Sequence, residues 1–94
     1  MTLELLRHRN TMWKDDFGND LRKHRINRGL TQETISFNAG LSARYVQRLE
    51  SGEQQPTLET IFKLAHDLQT TPTELITGTY GWWVKEGNYD LDED

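Results

Sequence analysis

The sequence of 94 residues contains no cysteine. This absence excludes disulfide bonds, thiolate metal ligands and a cysteine nucleophile. The three histidines, His8, His24 and His66, lack the spacing of a metal site, and no serine lies in a nucleophile-elbow pattern. We therefore expect no metal, no cofactor, no small-molecule ligand and no enzymatic activity.

Long hydrophobic stretches are absent as well, since only 34% of the residues are hydrophobic. No run approaches the roughly 18 apolar residues of a membrane span. The N-terminus also lacks the apolar segment of a signal peptide. We therefore expect a cytoplasmic protein with one small domain and no membrane contact.

The formal net charge of the chain is −4. The chain therefore lacks the excess of positive charge that usually marks a nucleic-acid binder. The negative charge is unevenly distributed. Residues 1–79 carry ten basic and ten acidic side chains, whereas residues 80–94 carry one lysine and five carboxylates. The net charge therefore comes from the C-terminal tail, and it does not exclude a basic surface elsewhere.

The segment 31–52 consists of two short amphipathic stretches separated by Gly40. Thr31 and Ser42 stand where a hydroxyl caps the first amides of a helix. Gly40 and Gly52 stand where a left-handed residue ends one. The pattern predicts a helix over 32–39, a tight turn, and a second helix that begins after Ser42.

The second of these helices has two different faces when its residues are placed at about 100° intervals. Tyr45, Val46 and Leu49 lie on the apolar side. The opposite side carries mostly polar groups, namely Ala43, Arg44, Gln47, Arg48 and Ser51. The pattern therefore predicts a helix that packs by one face and presents hydrogen-bond donors on the other.

Three more helices are predicted, at about 16–28, 56–68 and 72–77. The apolar stripe of the second of these consists of Leu58, Ile61, Phe62, Ala65 and Leu68, with Leu64 at its edge. The third begins at a capping box with Pro72 at its first position, and we expect it to end at Gly78.

Several short motifs in this order resemble the signature of the lambda-repressor-like helix-turn-helix regulators, also called the XRE or Cro/CI family. They are Gly29-Leu30-Thr31-Gln32, Ala39-Gly40-Leu41-Ser42, Leu49-Glu50-Ser51-Gly52 and Pro56. The resemblance runs from about Phe17 to Ile76. It implies a compact all-α, five-helix DNA-binding domain at 16–78, which leaves an N-terminal arm at 1–15 and an aromatic, acidic C-terminal extension at 79–94.

The resemblance also implies roles for single residues. Arg25 of the first helix is expected to form a structural salt bridge with Glu50, at the end of the second helix of the motif. Gln32 is expected to hold a DNA phosphate at the positive N-terminal end of its helix.

An α-helix fits the major groove of DNA, where side chains distinguish the four base pairs. We expect Arg44 and Arg48 to contact guanine, Gln47 to contact adenine and Ala43 to touch a thymine methyl. Arginine also binds phosphate, so backbone contact remains an alternative for both arginines. The candidates for phosphate contact are Gln32, Ser42, Tyr45, Ser51, Gln54 and Gln55. Capping alone for Ser42 and packing alone for Tyr45 are the alternatives.

One such helix contacts only a few base pairs, so we expect a homodimer on an inverted repeat, and a regulator that is a repressor. The candidate interface residues are Leu75, Ile76, Trp82 and Trp83. The alternative function is an antitoxin-like or adaptor protein whose C-terminal extension binds a partner protein. Exposure of both tryptophans in a homodimer would favour that alternative, and their burial between two copies would favour the regulator.

Overall fold

The computed structural model describes residues 16–85. These residues form five α-helices and, within that range, no strand: α1 at 16–27, α2 at Gln32–Ala39, α3 at Ala43–Ser51, α4 at Leu58–Asp67 and α5 at Pro72–Lys85. The predicted all-α, five-helix architecture is confirmed. The predicted arm at 1–15 and the last part of the predicted extension, 86–94, lie outside the described residues.

The helix boundaries around the central motif follow from local chemistry. The hydroxyl of Thr31 accepts a hydrogen bond from the backbone N–H of Thr34 at 3.0 Å, and that of Ser42 accepts one from Tyr45 at 3.1 Å. Gly40 has φ 71° and Gly52 has φ 83°, the left-handed geometry that ends a helix. The sequence therefore predicted both ends of α2 and α3 correctly.

The core takes side chains from every helix. Its buried members are Phe17, Leu21, Ile35, Ala39, Val46, Leu49, Leu64, Ala65, Leu68 and Leu75. Helix α2 contacts both α3 and α4, and α4 contacts α5. None of the helices in the described range combines the length and apolar character that crossing a membrane requires.

The apolar stripe predicted at α4 is only partly buried, with Leu64, Ala65 and Leu68 in the core. Leu58 is 65% exposed and Phe62 is 50% exposed, although both belong to the predicted stripe. Thr60 is buried instead, with Leu64 completely buried beside it. The apolar stripe is wider than the contact, because the core lies on the Thr60 and Leu64 side of the helix and leaves the other edge in water.

The predicted end of α5 is wrong, because the helix continues through Gly78 to Lys85. Gly78 lies at a close contact between helices rather than in a turn, since a Cβ atom there would meet the carboxylate of Asp20 on α1, whose side chain would have to move. Residues 79–85, the first part of the predicted extension, are therefore helical. The division of the chain at residue 78 remains a prediction.

A second close approach positions α3. A Cβ atom on Gly18 of α1 would lie 2.5 Å from the carbonyl oxygen of Leu49 and 2.6 Å from that of Glu50. Real Cβ atoms do not approach backbone oxygens so closely. The absence of a side chain at Gly18 is therefore what allows α1 to lie directly against the C-terminal turn of α3.

Gly18→Ala should lower the free energy of unfolding by about 1–3 kcal/mol, since the added methyl overpacks a backbone contact. The control is Gly81→Ala in α5, where no atom lies within 4 Å of the new Cβ. That variant should be more stable than the wild type by about 0.5–1 kcal/mol, because alanine favours a helix over glycine. Urea unfolding measures both, and equal changes in the two variants would contradict the packing role of Gly18.

Candidate nucleic-acid interface

Helix α3 separates its side chains into a buried and an exposed face. Val46 and Leu49 are 0% exposed. On the opposite side, Arg44, Gln47 and Arg48 are all exposed. The helix is thus held by its apolar face, while two guanidinium groups and one amide face outward together.

This outward face borders a continuous concave surface, which we call the α3 groove. One part lies between α1, the start of α2 and α3, and is lined by Arg22, Arg25, Leu30, Thr31, Gln32, Glu33, Gln47, Glu50 and Ser51. The adjoining part is lined by Arg44, Gln47, Arg48, Ser51 and Glu53. Gln47 and Ser51 belong to both parts. The structure therefore brings residues from three helices and from the loop after α3 onto one surface.

The ion pair predicted between Arg25 and Glu50 is present and has two contacts. Nε of Arg25 donates to Oε2 of Glu50 at 2.6 Å, and Nη2 donates to Oε1 at 3.0 Å. The two side chains are 13% and 5% exposed. The remaining terminal nitrogen, Nη1, donates to the carbonyl oxygen of Leu30 at 2.9 Å. One arginine of α1 therefore joins the end of α3 to Leu30, in the loop before α2.

The hydrogen bond to Glu50 raises the pKa of Arg25, and this effect outweighs the opposing effect of burial. The arginine therefore stays charged. In turn, the carboxylate of Glu50 has its charge balanced inside the protein. The pair thus joins elements of the groove through contacts made within the protein.

Gln32 is the only predicted phosphate contact that also takes part in this network, as far as the described residues show. Its Nε2 donates to Oε1 of Glu50 at 3.0 Å. This bond fixes the orientation of the amide at the N-terminal end of α2, where the helix dipole is positive. The geometry is compatible with a phosphate bound at that end, and the same side chain helps to hold the Glu50 carboxylate.

Three of the other predicted phosphate contacts, Ser42, Tyr45 and Ser51, also make contacts within the chain. Ser42 caps α3, and the hydroxyl of Tyr45 lies 3.3 Å from Oγ1 of Thr60. The hydroxyl of Ser51 donates to the carbonyl oxygen of Arg48 at 3.2 Å and faces the groove. In the loop after α3, Gln54 is half-buried and Gln55 is exposed. Ala43, the predicted thymine contact, is half-buried at the start of α3.

Arg22 and Glu53 are among the groove residues that were not predicted as site residues from the sequence. Arg22 on α1 resembles an ordinary solvated charge in the sequence, yet it lines the groove beside Gln32 and Gln47. Glu53 lies beyond Gly52, and its Oε1 is 3.8 Å from Nε of Arg48. Helical spacing from Arg25 could have indicated Arg22, since the two are three residues apart, but no local pattern indicates Glu53.

One predicted interface residue is corrected by the structure. Leu75 is 0% exposed within a single chain, so its side chain belongs to the core and is not available to a second copy. Ile76 is partly buried against that core. Trp82 and Trp83 are half-buried, and their rings meet edge to face with centroids 6.4 Å apart.

Comparison with known proteins places these features in context. A family model described as helix-turn-helix matches residues 21–75, which include the whole α3 groove. The chain is 37% identical over 62 residues to the HTH-type transcriptional regulator y4dJ of Sinorhizobium fredii, covering 66% of this chain and 80% of that protein. It is 30% identical over 77 residues to the SPbeta prophage-derived HTH-type transcriptional regulator YonR of Bacillus subtilis, covering 82% of this chain and 66% of that protein.

Solved structures show the same fold. The restriction-modification controller protein C.AhdI from Aeromonas hydrophila has 42% identity and a TM-score of 0.65, covering 66% of this chain and 94% of that one. The clp gene regulator ClgR from Corynebacterium glutamicum has a TM-score of 0.71 at 21% identity, covering 84% and 85% of the two chains. At that identity the second match supports the fold alone. Together with the family match, these likenesses confirm the predicted lambda-repressor-like fold.

Removing one member of the buried ion pair should destabilise the protein strongly. Arg25→Met should lower the free energy of unfolding by about 3–5 kcal/mol, because it leaves the Glu50 carboxylate buried without its partner. The control is Lys63→Met, which breaks the exposed Lys63–Glu59 pair at 3.3 Å and should cost less than about 1 kcal/mol. Urea titration measures both.

The double variant Arg25→Met/Glu50→Gln distinguishes the effect of the ion pair on stability from the effects of its two side chains. It should recover part of the lost stability, since no buried charge is then left without a partner. A double variant at least as unstable as Arg25→Met would show that packing around Arg25, rather than its charge, accounts for the loss.

Proposed function

Since this chain belongs to the helix-turn-helix family of transcriptional regulators, we propose that it is a repressor that binds an inverted-repeat DNA operator as a homodimer. Proteins of this family bind double-stranded DNA and are not enzymes. The chain is accordingly a transcriptional regulator with a helix-turn-helix DNA-binding domain, and the prediction that it is not an enzyme is confirmed by its family. The observation that carries the finer proposal is the joint exposure of Arg44, Gln47 and Arg48 on α3.

We assign base contact to the exposed face of α3, and we call the helix α3 the recognition helix. Arg44 and Arg48 are one turn apart, and each offers paired donors that match O6 and N7 of guanine. Gln47 lies between them in the groove and matches the donor and acceptor of adenine. Ala43, at the start of the helix, is small enough to contact a thymine methyl group.

Phosphate contact is assigned to groups around the recognition helix. Gln32 is the first of these, because Glu50 already orients its amide at the positive end of α2. Ser42, Tyr45, Ser51, Gln54 and Gln55 complete the set that the sequence proposed. Arg22 is added because it lines the same groove and carries a positive charge at its outer edge.

The homodimer is inferred from both DNA geometry and the surface of α5. A single recognition helix contacts too few base pairs for useful specificity, and two copies bind half-sites about one turn of DNA apart. Tyr80 and Val84, one turn apart on α5, are 56% and 43% exposed. Ile76 lies one turn before Tyr80, so these residues continue along one side of the helix. We place the interface on this side of α5, next to the tryptophan pair, with Leu75 excluded because it is buried.

Regulation by a small controller of this kind is supported by one relative. The structure with 42% identity is named a restriction-modification controller protein, and this chain covers 94% of it. We infer that the present protein likewise acts as a controller. The helix-turn-helix domain and the residues around it would then be sufficient for binding the operator.

The role of each groove residue predicts a different effect on DNA binding. On a duplex selected from a random pool, Arg44→Ala and Arg48→Ala should each cost about 1–3 kcal/mol and relax the base preference at one position. Gln32→Ala should weaken binding to selected and random duplexes by the same factor, because the DNA contact proposed for it is to phosphate, which is the same in every sequence. Fluorescence anisotropy at fixed salt measures these affinities.

Lys63→Ala is the matched control for these substitutions, since Lys63 is a basic residue of α4 that does not line the α3 groove. Its affinity for the selected duplex should stay within about twofold of the wild type, the effect of a distant surface charge. Thermal unfolding confirms that each variant is folded. Equal losses on selected and random DNA for both arginine variants would refute their assignment to base contact.

The proposed interface predicts that Val84→Asp converts the dimer to a monomer, because it places a charge in an apolar contact. Ile26→Asp is the control, since Ile26 is 53% exposed but lies on α1. Sedimentation at several protein concentrations gives the oligomeric state. A dimeric Val84→Asp variant would refute the interface, and a monomeric wild type that associates with DNA only through another protein would favour the antitoxin-like or adaptor alternative.

A further inference from the structure

Glu53 lies in the α3 groove beside one of the proposed base-contacting residues. Its Oε1 is 3.8 Å from Nε of Arg48, and the two side chains are 66% and 44% exposed. Both residues line the same part of the groove as Arg44, Gln47 and Ser51. A negative charge therefore stands on the surface that is proposed to approach an anionic duplex.

The backbone around Glu53 keeps it close to Arg48. The backbone N–H of Glu53 donates to the carbonyl oxygen of Arg48 at 3.0 Å, and that of Gln54 donates to the same oxygen at 3.2 Å. Gly52, which lies in the turn between the end of α3 and Glu53, has φ 83°. The turn that ends the recognition helix thus positions the carboxylate of Glu53 next to the side chain of Arg48. The backbone of Glu53 already contacts the carbonyl oxygen of Arg48.

The atom of Arg48 that faces Glu53 determines what the contact can do. The carboxylate lies nearest to Nε, which is the inner nitrogen of the guanidinium group. The two terminal nitrogens, Nη1 and Nη2, together offer enough donors for a bidentate bond to O6 and N7 of guanine. An ion pair at Nε therefore restricts the rotation of the guanidinium without using the donors that a guanine contact requires.

The charge of Glu53 differs from that of Glu50 in its exposure to solvent. Glu50 is held by two nitrogens of Arg25 and by Gln32, and only 5% of its side chain is exposed. The side chain of Glu53 is mostly exposed. Its negative charge therefore repels any phosphate that approaches the same end of α3. Repulsion acts on every DNA sequence, whereas orientation of Arg48 helps only where a guanine is in reach.

From this arrangement we propose that Glu53 is a positioning residue that orients Arg48 for guanine and penalises binding to DNA that lacks it. The proposal rests on the base-contacting role assigned to Arg48 above. It gives Glu53 opposite effects on two kinds of complex. In the specific complex the Glu53 carboxylate stays paired with Nε and supports the guanine contact. In a non-specific complex the same carboxylate keeps Arg48 from a phosphate and adds repulsion.

The test is Glu53→Gln, which removes the charge and keeps the shape. Affinity for the selected duplex should fall by about two- to fivefold, and affinity for a random duplex should rise by about the same factor, the range of an exposed ion pair. The specificity ratio should therefore fall by about tenfold. The dependence of log K on log salt for the random duplex should become steeper by about one, since Arg48 can then neutralise a further phosphate.

Glu59→Gln provides the matched control. Glu59 is also an exposed glutamate paired with a basic residue, Lys63, and it lies outside the groove on α4. This variant changes the net charge by the same amount, so it should shift both affinities slightly and in the same direction. Its specificity ratio and its salt dependence should stay at the wild-type values.

Repeating Glu53→Gln in an Arg48→Ala background identifies the path of the effect. The loss on the selected duplex should disappear there, because no guanidinium remains to be oriented. Persistence of that loss would mean that Glu53 contacts DNA itself, and a gain on both duplexes in the single variant would mean repulsion alone; either result overturns the positioning role. If Arg48→Ala by itself leaves base preference unchanged, the base-contacting role of Arg48 is what fails.

Discussion

The ion pair between Arg25 and Glu50 is the contact on which the geometry of the groove depends. It joins α1 to the end of α3 through two nitrogen–oxygen contacts, and Nη1, the third nitrogen of the same guanidinium group, reaches Leu30 before α2. Gln32 adds a further bond to the same carboxylate. Together with the absence of a side chain at Gly18, this network sets the distance and angle of the recognition helix relative to the first two helices.

The positions of the charges, including the tail that carries the excess, explain how a protein with a net charge of −4 can present a surface suited to DNA. The carboxylate of Glu50 is balanced inside the protein, so it adds little to the field above the groove. Arg22, Arg44 and Arg48 remain on that surface together with the carboxylates of Glu33 and Glu53, and Glu53 is paired with Arg48. The location of each charge therefore matters more than the total, because charges separated by more than about 10 Å are screened at ordinary salt concentrations.

Features that depend on neighbouring residues along the chain were predictable. The hydroxyl caps at Thr31 and Ser42 and the left-handed glycines at positions 40 and 52 give α2 and α3 their ends, since capping uses atoms only a few residues apart. The predicted helix end at Gly78 was wrong because a glycine can also serve close packing inside a helix. The predictions for Leu58, Phe62 and Leu75 were wrong for a common reason. Helical periodicity shows that a stripe is apolar, but which edge of the stripe is covered depends on where the other helices lie.

The sequence by itself determined the number and order of the helices, the turn between α2 and α3, and the set of donors on the outward face of α3, because each follows from local backbone and side-chain chemistry. Only the tertiary structure decided that Arg22 joins the groove, that Gly78 serves packing between α1 and α5, and that the carboxylate of Glu53 faces Nε of Arg48. These features arise from contacts between helices, or from the path of a turn, and no repeat along the chain encodes the distances involved.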